Sequence, residues 1–324
     1  MKQLLLLLLS ICLFACQTKK QEFPADTKSI VGIPEISGKV SLIVLGNVQD
    51  AGSPQIGCTK KCCENLFKNP DRNRKITSLG IYDQENNKTF LFEASPDIIT
   101  QTKYLKNYAQ TVGELPDGIF LTHAHIGHYS GLMFLGKEAM NASDVPVYVM
   151  PKFKLFIETN GPWDQLVNNK NIALKALNHK DTLEITSNLK IIPFKVPHRD
   201  EYSETVGYTI IGPEKSVLFI PDIDKWEKWE ESIIEKVKQV DYAFLDATFF
   251  DAEEINNRDI SEIPHPFVIE SMSLFSDLKV SEKKKIHFIH FNHTNPLLNP
   301  ESKQTKEVLQ KGYKIARLGN TIQL

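Results

Sequence analysis

The chain has 324 residues, 41% of them hydrophobic and 24% charged, with a formal net charge of -2. That balance suits one large or two ordinary globular domains with a sizeable core. It excludes a dedicated nucleic-acid binder, which carries a basic excess, and the run Lys283-Lys284-Lys285 is too short to alter this.

The first element is "MKQLLLLLLSICLFAC", with Lys2 at its start, an apolar run from Leu4, and small Ala15 before Cys16. The run is shorter than the roughly 20 residues a membrane-spanning helix needs, and it reads as a secretory signal. Its "LFAC" end resembles the bacterial lipobox, which implies cleavage before Cys16 and lipidation of its thiol. The expected organisation is a signal at 1–15, a polar flexible tether at 16–37, and a folded domain at 38–324. The expected location is extracytoplasmic, with membrane attachment through Cys16. Cys58, Cys62 and Cys63 then remain, all within "CTKKCC". Exported cysteines usually form disulfides, but three is an odd number and adjacent Cys62 and Cys63 are poorly placed to bridge. A metal site is the better reading.

Strands are expected at Val40–Gly46, Thr77–Asp83 and Thr89–Ala94, where branched and aromatic residues concentrate. "DGIFLTH" carries a further strand into a histidine cluster, and "VPVYVM" follows. A second strand-rich half comprises Leu189–His198, Thr205–Ile211, Ser216–Asp222, "VDYAFLD" and "KIHFIHF". Apolar residues at Trp226, Trp229, Ile233, Ile234 and Val237 predict a helix over Trp226–Lys238, with both tryptophans as core contacts. A last helix in "NPESKQTKEVLQKG" should stop at Gly312. Asp97 in "ASPDI" is expected to cap the helix that follows it. Two strand-rich halves with interspersed helices suit two packed sheets with helices outside, an α/β fold.

Of nine histidines, six crowd into "HAHIGH" and "HFIHFNH". His123 and His125 share a side if the chain is extended, and His128 can point back after a turn. His198, Asp222 and His290 end strands, so several strand ends can feed one rim. Imidazole and carboxylate are the usual ligands of catalytic zinc. Asp246 ends "YAFLD" and is placed to orient a ligand histidine. His179 and His287 have no convergent partner and read as structural.

This order of histidines and aspartate resembles the metallo-β-lactamase superfamily over nearly all of the mature chain. Within it, "VLGNVQDAGSPQIGC", "FEASPDI" and "IHFNHTNPLL" resemble coenzyme PQQ synthesis protein B and its relatives. The likeness to the phosphodiesterase of the carbon–phosphorus lyase pathway and to ribonuclease Z is looser. The resemblance implies an αββα sandwich in a single domain. It implies a first metal on His123, His125 and His198, a second on His128 and His290, and Asp222 bridging them. It also implies a structural zinc on Cys58, Cys62, Cys63 and His293, although the cysteine spacing departs from the usual C-x-C-x-x-C. His265, in "EIPHPF", falls where ribonuclease-Z-like members place a general acid.

One position departs from the pattern H-x-H-x-D-H: Gly127 stands where the second metal's carboxylate belongs. Losing a ligand should weaken that metal by more than the 10–100-fold typical of an outer-shell loss. Asp224 is the expected substitute, and Gly127→Asp is expected to raise metal content. Three readings stay open. One is a hydrolase in which metal-bound hydroxide attacks a phosphodiester or acyl/lactone centre of a small-molecule substrate. Another is a mononuclear iron oxygenase linked to PQQ synthesis, since histidine sites accept iron as well as zinc. The third is a non-catalytic ligand-binding lipoprotein. Oligomeric state is not legible.

Overall fold

The computed structural model describes residues 38–111, 113–255 and 259–324. The leader, Cys16 and the tether lie outside them. The described residues belong to one compact unit and form two seven-stranded mixed sheets. In chain order the strands are β1 (Val40–Gly46), β2 (Ser78–Asp83), β3 (Lys88–Phe92), β4 (Gly118–Phe120), β5 (Val145–Val149), β6 (Ile172–Ala176) and β7 (Leu183–Thr186). They continue as β8 (Leu189–Lys195), β9 (Val206–Ile211), β10 (Ser216–Ile220), β11 (Tyr242–Asp246), β12 (Ile286–Ile289), β13 (Lys314–Ile315) and β14 (Thr321–Gln323). One sheet has the order β14-β1-β2-β3-β4-β5-β6, the other β13-β12-β11-β10-β9-β8-β7.

Side-chain alternation builds three apolar layers. On β1, Leu42 and Val44 face the second sheet, while Ile43 and Leu45 face outward onto the helix Ile98–Ala109. Such a period of two is what a sheet covered on both faces demands. Between the sheets, Phe92 stacks on Phe120 (centroids 5.0 Å apart) and meets Tyr208 and Phe219 edge-on at 5.3 and 6.2 Å. Each such ring pair adds about 0.5–1.5 kcal/mol beyond its area burial. The outer face of the second sheet packs Ile220, Leu245 and Phe288 against Val237, Met272 and Val308, which lie on the helices Ile233–Lys238, Val268–Leu274 and Lys303–Gln310. The layering is therefore αββα, as expected. Among the described residues no helix is long and apolar enough to cross a membrane.

The expected helix over Trp226–Lys238 divides in two. A 3-10 turn covers Trp226–Lys228 and an α-helix covers Ile233–Lys238. Ser232 is the reason: its side chain accepts from the Glu235 backbone N–H and starts the helix there. Trp229 instead stacks on Phe194 (5.7 Å) and donates Nε1–H to the Lys195 carbonyl (3.1 Å). Both tryptophans remain core contacts. The last helix spans Lys303–Gln310, and Gly312 takes φ +94° two residues on, a conformation glycine adopts without strain. Asp97 does not cap by side chain. It is spent earlier, with Oδ2 accepting from the Ile76 N–H (2.9 Å) and Oδ1 paired with Lys75.

Parallel strands put function at their carboxyl ends. β3–β6 are mutually parallel, as are β10–β13. The loops leaving β4, β8, β10, β11 and β12 therefore open on one rim with the loop after β1.

Candidate metal centre

Six histidines and three aspartates converge at that rim in three overlapping groups, the ligand atoms of each lying within 4.8 Å of one another. The first is His123, His125, His198 and Asp222. Asp222 Oδ2 lies 3.3 Å from His123 Nε2, 3.2 Å from His198 Nε2 and 3.9 Å from His125 Nδ1. The second is Asp50, His128, Asp222 and His290. Asp50 Oδ1 lies 3.0 Å from His128 Nε2 and 3.2 Å from His290 Nε2, and Asp222 Oδ2 is 3.8 Å from His128 Nε2. The third is Asp222, Asp246 and His265. One side chain, Asp222, belongs to all three.

Each of four ring systems is held by one nitrogen from behind. His123 Nδ1 meets Thr122 Oγ1 (2.9 Å), His128 Nδ1 meets Glu93 Oε1 (3.3 Å), His198 Nδ1 meets Asp224 Oδ1 (3.2 Å), and His290 Nδ1 meets Thr248 Oγ1 (2.9 Å). Thr248 donates its single hydroxyl proton to Asp246 Oδ1 (2.7 Å). It must then accept from His290, which places that ring's proton on Nδ1 and its lone pair on Nε2, toward the site. Such partners fix tautomer and ring angle for metal binding.

Two residues of the centre sit in left-handed backbone, the supporting Glu93 at φ +73° and His290 of the second group at φ +67°. That costs each about 1–3 kcal/mol, of the kind tolerated where a site over-determines the backbone.

Asp224 therefore stands elsewhere than expected. It joins no second-metal group but lies behind His198 and pairs with Lys228. Its backbone N–H donates to the Pro197 carbonyl (2.7 Å), which ties it to the His198 loop and turns it away from His128. Asp246 orients as expected, chiefly His265 (Nδ1 to Oδ2 2.9 Å) and, through Thr248, His290. His265 Nδ1 also lies 3.1 Å from Asp222 Oδ1. His287 bonds the Lys285 carbonyl and His179 accepts from the Lys195 N–H, both away from the centre.

Two residues escaped the sequence reading. Asp50 lies within "NVQDAGSP", quoted only for its family likeness, and Glu93 lies within "FEASPDI". The unexplained Gly127 was the available signal for Asp50. A Cβ built on Gly127 falls 2.5 Å from Asp50 Cα and 2.6 Å from Asp50 Oδ1. The glycine is the space that Asp50 occupies, so Gly127→Asp would displace Asp50 rather than supplement it.

The centre has the electrostatics of a cation site. His123 Nε2, His128 Nε2 and Asp222 Oδ1 are fully buried with no hydrogen-bond partner, an arrangement costing about 1–3 kcal/mol per group unless something else satisfies them. Burial and the neighbouring His128 charge hold His123 well below the ordinary histidine range. Burial would lower His128 too, but the Asp50 and Glu93 carboxylates outweigh it and raise it. For Asp222 burial is outweighed by His198 and His265, which keep the carboxyl well below its usual range. The donor set fits a divalent metal in each of the first two groups.

A separate cluster joins the loop after β1 to the loop after β12. Cys58, Cys62 and Cys63 Sγ lie 3.6, 3.5 and 3.3 Å from His293 Nδ1, and the adjacent sulfurs are 3.9 Å apart. A tetrahedral ion with bonds of about 2.3 Å to sulfur and about 2.0–2.1 Å to nitrogen requires edges of about 3.8 and 3.6 Å, so the cluster fits one. Burial together with the Cys63 and Cys58 sulfurs pushes the Cys62 thiol up to about 12. A cation is what lets such thiols ionise together.

Residues 88–291 match the model of the Beta-lactamase superfamily domain. Coenzyme PQQ synthesis protein B of Gluconobacter oxydans is 26% identical over 310 residues, covering 88% of this chain and 99% of its own length. That of Nitrosococcus oceani is 26% identical over 304 residues, covering 84% and 96%. Among solved structures, Zn(2+)-bound PqqB from Methylobacterium extorquens superposes with a TM-score of 0.71 at 21% identity, covering 88% of this chain and 100% of that one. A diphosphatase from the PhnP family gives 0.59 at 22% identity, covering 87% and 96%. The chain therefore belongs to the beta-lactamase superfamily, as a PqqB-like protein with the metallo-β-lactamase αββα fold.

Proposed function

We propose that the protein is a metal-dependent hydrolase acting on a small ester, a phosphodiester first and an acyl or lactone centre second. The observation that carries this is the pair of ligand groups sharing Asp222, each with its own histidines and the second completed by Asp50. A divalent metal in such groups supplies Lewis acidity and an acidified water as nucleophile. Asp222 would orient that water, since its carboxylate borders both groups. His265 would donate a proton to the leaving oxygen from Nε2, because its Nδ1 is held by Asp246 Oδ2 (2.9 Å). Arg199 is exposed at the mouth, with Nη2 3.3 Å from His125 Nε2, and would neutralise substrate charge. Zinc is the proposed ion here and in the cysteine cluster.

The test is metal analysis of a chain beginning after Cys16, with turnover of bis(p-nitrophenyl) phosphate and of a lactone panel. Zinc in the active-site groups and cleavage of either substrate class is expected. No metal there would overturn the reading. His265→Ala is expected to lower kcat by about 10²–10⁴-fold on a substrate with a poor leaving group. It should cost far less with p-nitrophenolate, which needs no proton, and should leave metal content unchanged. Equal losses on both substrates would show that His265 is structural.

A second reading, a PqqB-like iron oxygenase linked to PQQ synthesis, draws support from curated relatives named for that pathway that match nearly the full domain. Iron-dependent oxygen uptake without ester cleavage would favour it. The proposed export of the chain on its N-terminal leader argues for a substrate outside the cytoplasm.

A further inference from the structure

We infer that the second active-site metal takes its carboxylate from Asp50, and that the ligand and the side chain at position 127 exclude one another. The inference rests on the two-metal reading above. Position 127 lies in the short helix Ile126–Tyr129 between His125 and His128, where the family motif carries its own carboxylate. Here that place is bare backbone, and the Asp50 main chain lies where a 127 side chain would begin. The Asp50 carboxylate enters from outside the motif and reaches the two nitrogens, His128 Nε2 and His290 Nε2, that a motif carboxylate would serve. The ligand has moved to another loop while keeping its place in space.

The loop is built to hold it there. Val48 bridges both Ile76 and Phe291. Gln49 N–H donates to the Phe291 carbonyl and Phe291 N–H to the Asn47 carbonyl, each at 2.8 Å. Asn47 Nδ2 donates to the Ala316 carbonyl (2.8 Å), and Gly52 N–H closes a turn onto the Gln49 carbonyl (2.9 Å). Beyond the turn, the three cysteines anchor the same loop to His293. Asp50 is thus fixed relative to His290 from both sides. A backbone so pinned cannot retreat by the ångström or so that a new Cβ at 127 requires, so even a methyl there must push the carboxylate off the metal.

The experiment is a Co2+ titration of the chain beginning after Cys16, read by visible absorption and by metal stoichiometry, with circular dichroism as the control for folding. Asp50→Asn preserves shape and removes charge. Gly127→Ala preserves the charge and removes the space. Each is expected to weaken the second Co2+ by at least about 10-fold, while the first and the cysteine-site metal stay. The exchange variant, Asp50→Gly with Gly127→Asp, still sets the new Cβ against the Cα at position 50 and is expected not to recover the second Co2+. Second-site binding by Asp50→Asn equal to wild type would overturn the proposal and leave the hydrolase reading intact. So would a folded Gly127→Ala chain that binds the second Co2+ as tightly as wild type. A wild-type chain that takes up metal only at the cysteine cluster would overturn both.

Discussion

Alanine in place of Asp222 should strip metal from both active-site groups at once and leave only the cysteine-cluster ion. Asp222 is 3% exposed and borders all three groups, with His123, His198 and His265 each within 3.3 Å of one of its oxygens. Among the described residues no other has this position. Its loss should weaken each metal by at least about 100-fold, beyond the range seen when only an outer-shell partner is lost. Ester cleavage should fall by at least about 10³-fold, since roughly 4 kcal/mol of transition-state stabilisation goes with the metals. Asp224→Ala is the matched control. It removes the partner of His198 Nδ1 and an exposed pair with Lys228 but touches no residue of the second group, so it should weaken the first metal by about 10–100-fold and spare the second. Stoichiometry by mass spectrometry reads both. An Asp222→Ala chain holding its full metal complement would refute the shared-bridge arrangement.

Removing the cysteine-cluster metal should produce the largest change in stability. Cys63 is fully buried and its sulfur is the one nearest His293. Cys63→Ser, or a strong chelator, leaves the loop between β1 and β2 tied by its bonds at Asn47–Gln49 and by the Arg74–Ser53 hydrogen bond (2.8 Å). Closed sulfur–histidine sites can contribute about 10–16 kcal/mol of binding free energy to folding in small domains. Only part of that bears on a domain with its own core, and a fall in Tm on the order of 10 °C is expected at roughly 2–4 °C per kcal/mol. The metal needs thiolates, and the Cys62 thiol left without it sits at about 12. Affinity should therefore fall as pH is lowered, and acid should release this ion with uptake of protons. The same loop carries Asp50, so the second active-site metal should weaken with it. Differential scanning calorimetry with metal analysis separates the two effects. An unchanged Tm in Cys63→Ser would show that the cluster holds nothing.

What could be read from the sequence was whatever period and composition encode locally. Strands such as Val40–Gly46 and Tyr242–Asp246 are runs of branched and aromatic residues, and the two-sheet architecture follows from how many such runs must share a core. The histidine spacing in "HAHIGH" named the chemistry, because few other purposes crowd imidazoles so tightly. The cysteine cluster and His293 were legible as a set through family likeness, although their spacing is irregular. Where local signals compete the reading slipped. Ser232 opens a helix that hydrophobic period alone would have begun at Trp226, and Asp97 spends its carboxylate on Ile76 before it can cap.

The tertiary structure decided what contact between distant segments decides. Asp50 lies 77 positions before Gly127 in sequence, and no periodicity links them. Only the pairing of the Val48 loop with Phe291 brings that carboxylate onto His128 and His290. Asp224, two positions from Asp222, looked like the nearer candidate. The turn after β10 sends it behind His198 instead. Neighbours in sequence share an element, but metal ligands must share a point, and which side chains reach that point depends on how loops from both sheets are tied together at one rim. The glycine that read as a missing ligand is the record of that closure: it is bare because another part of the chain already fills its place.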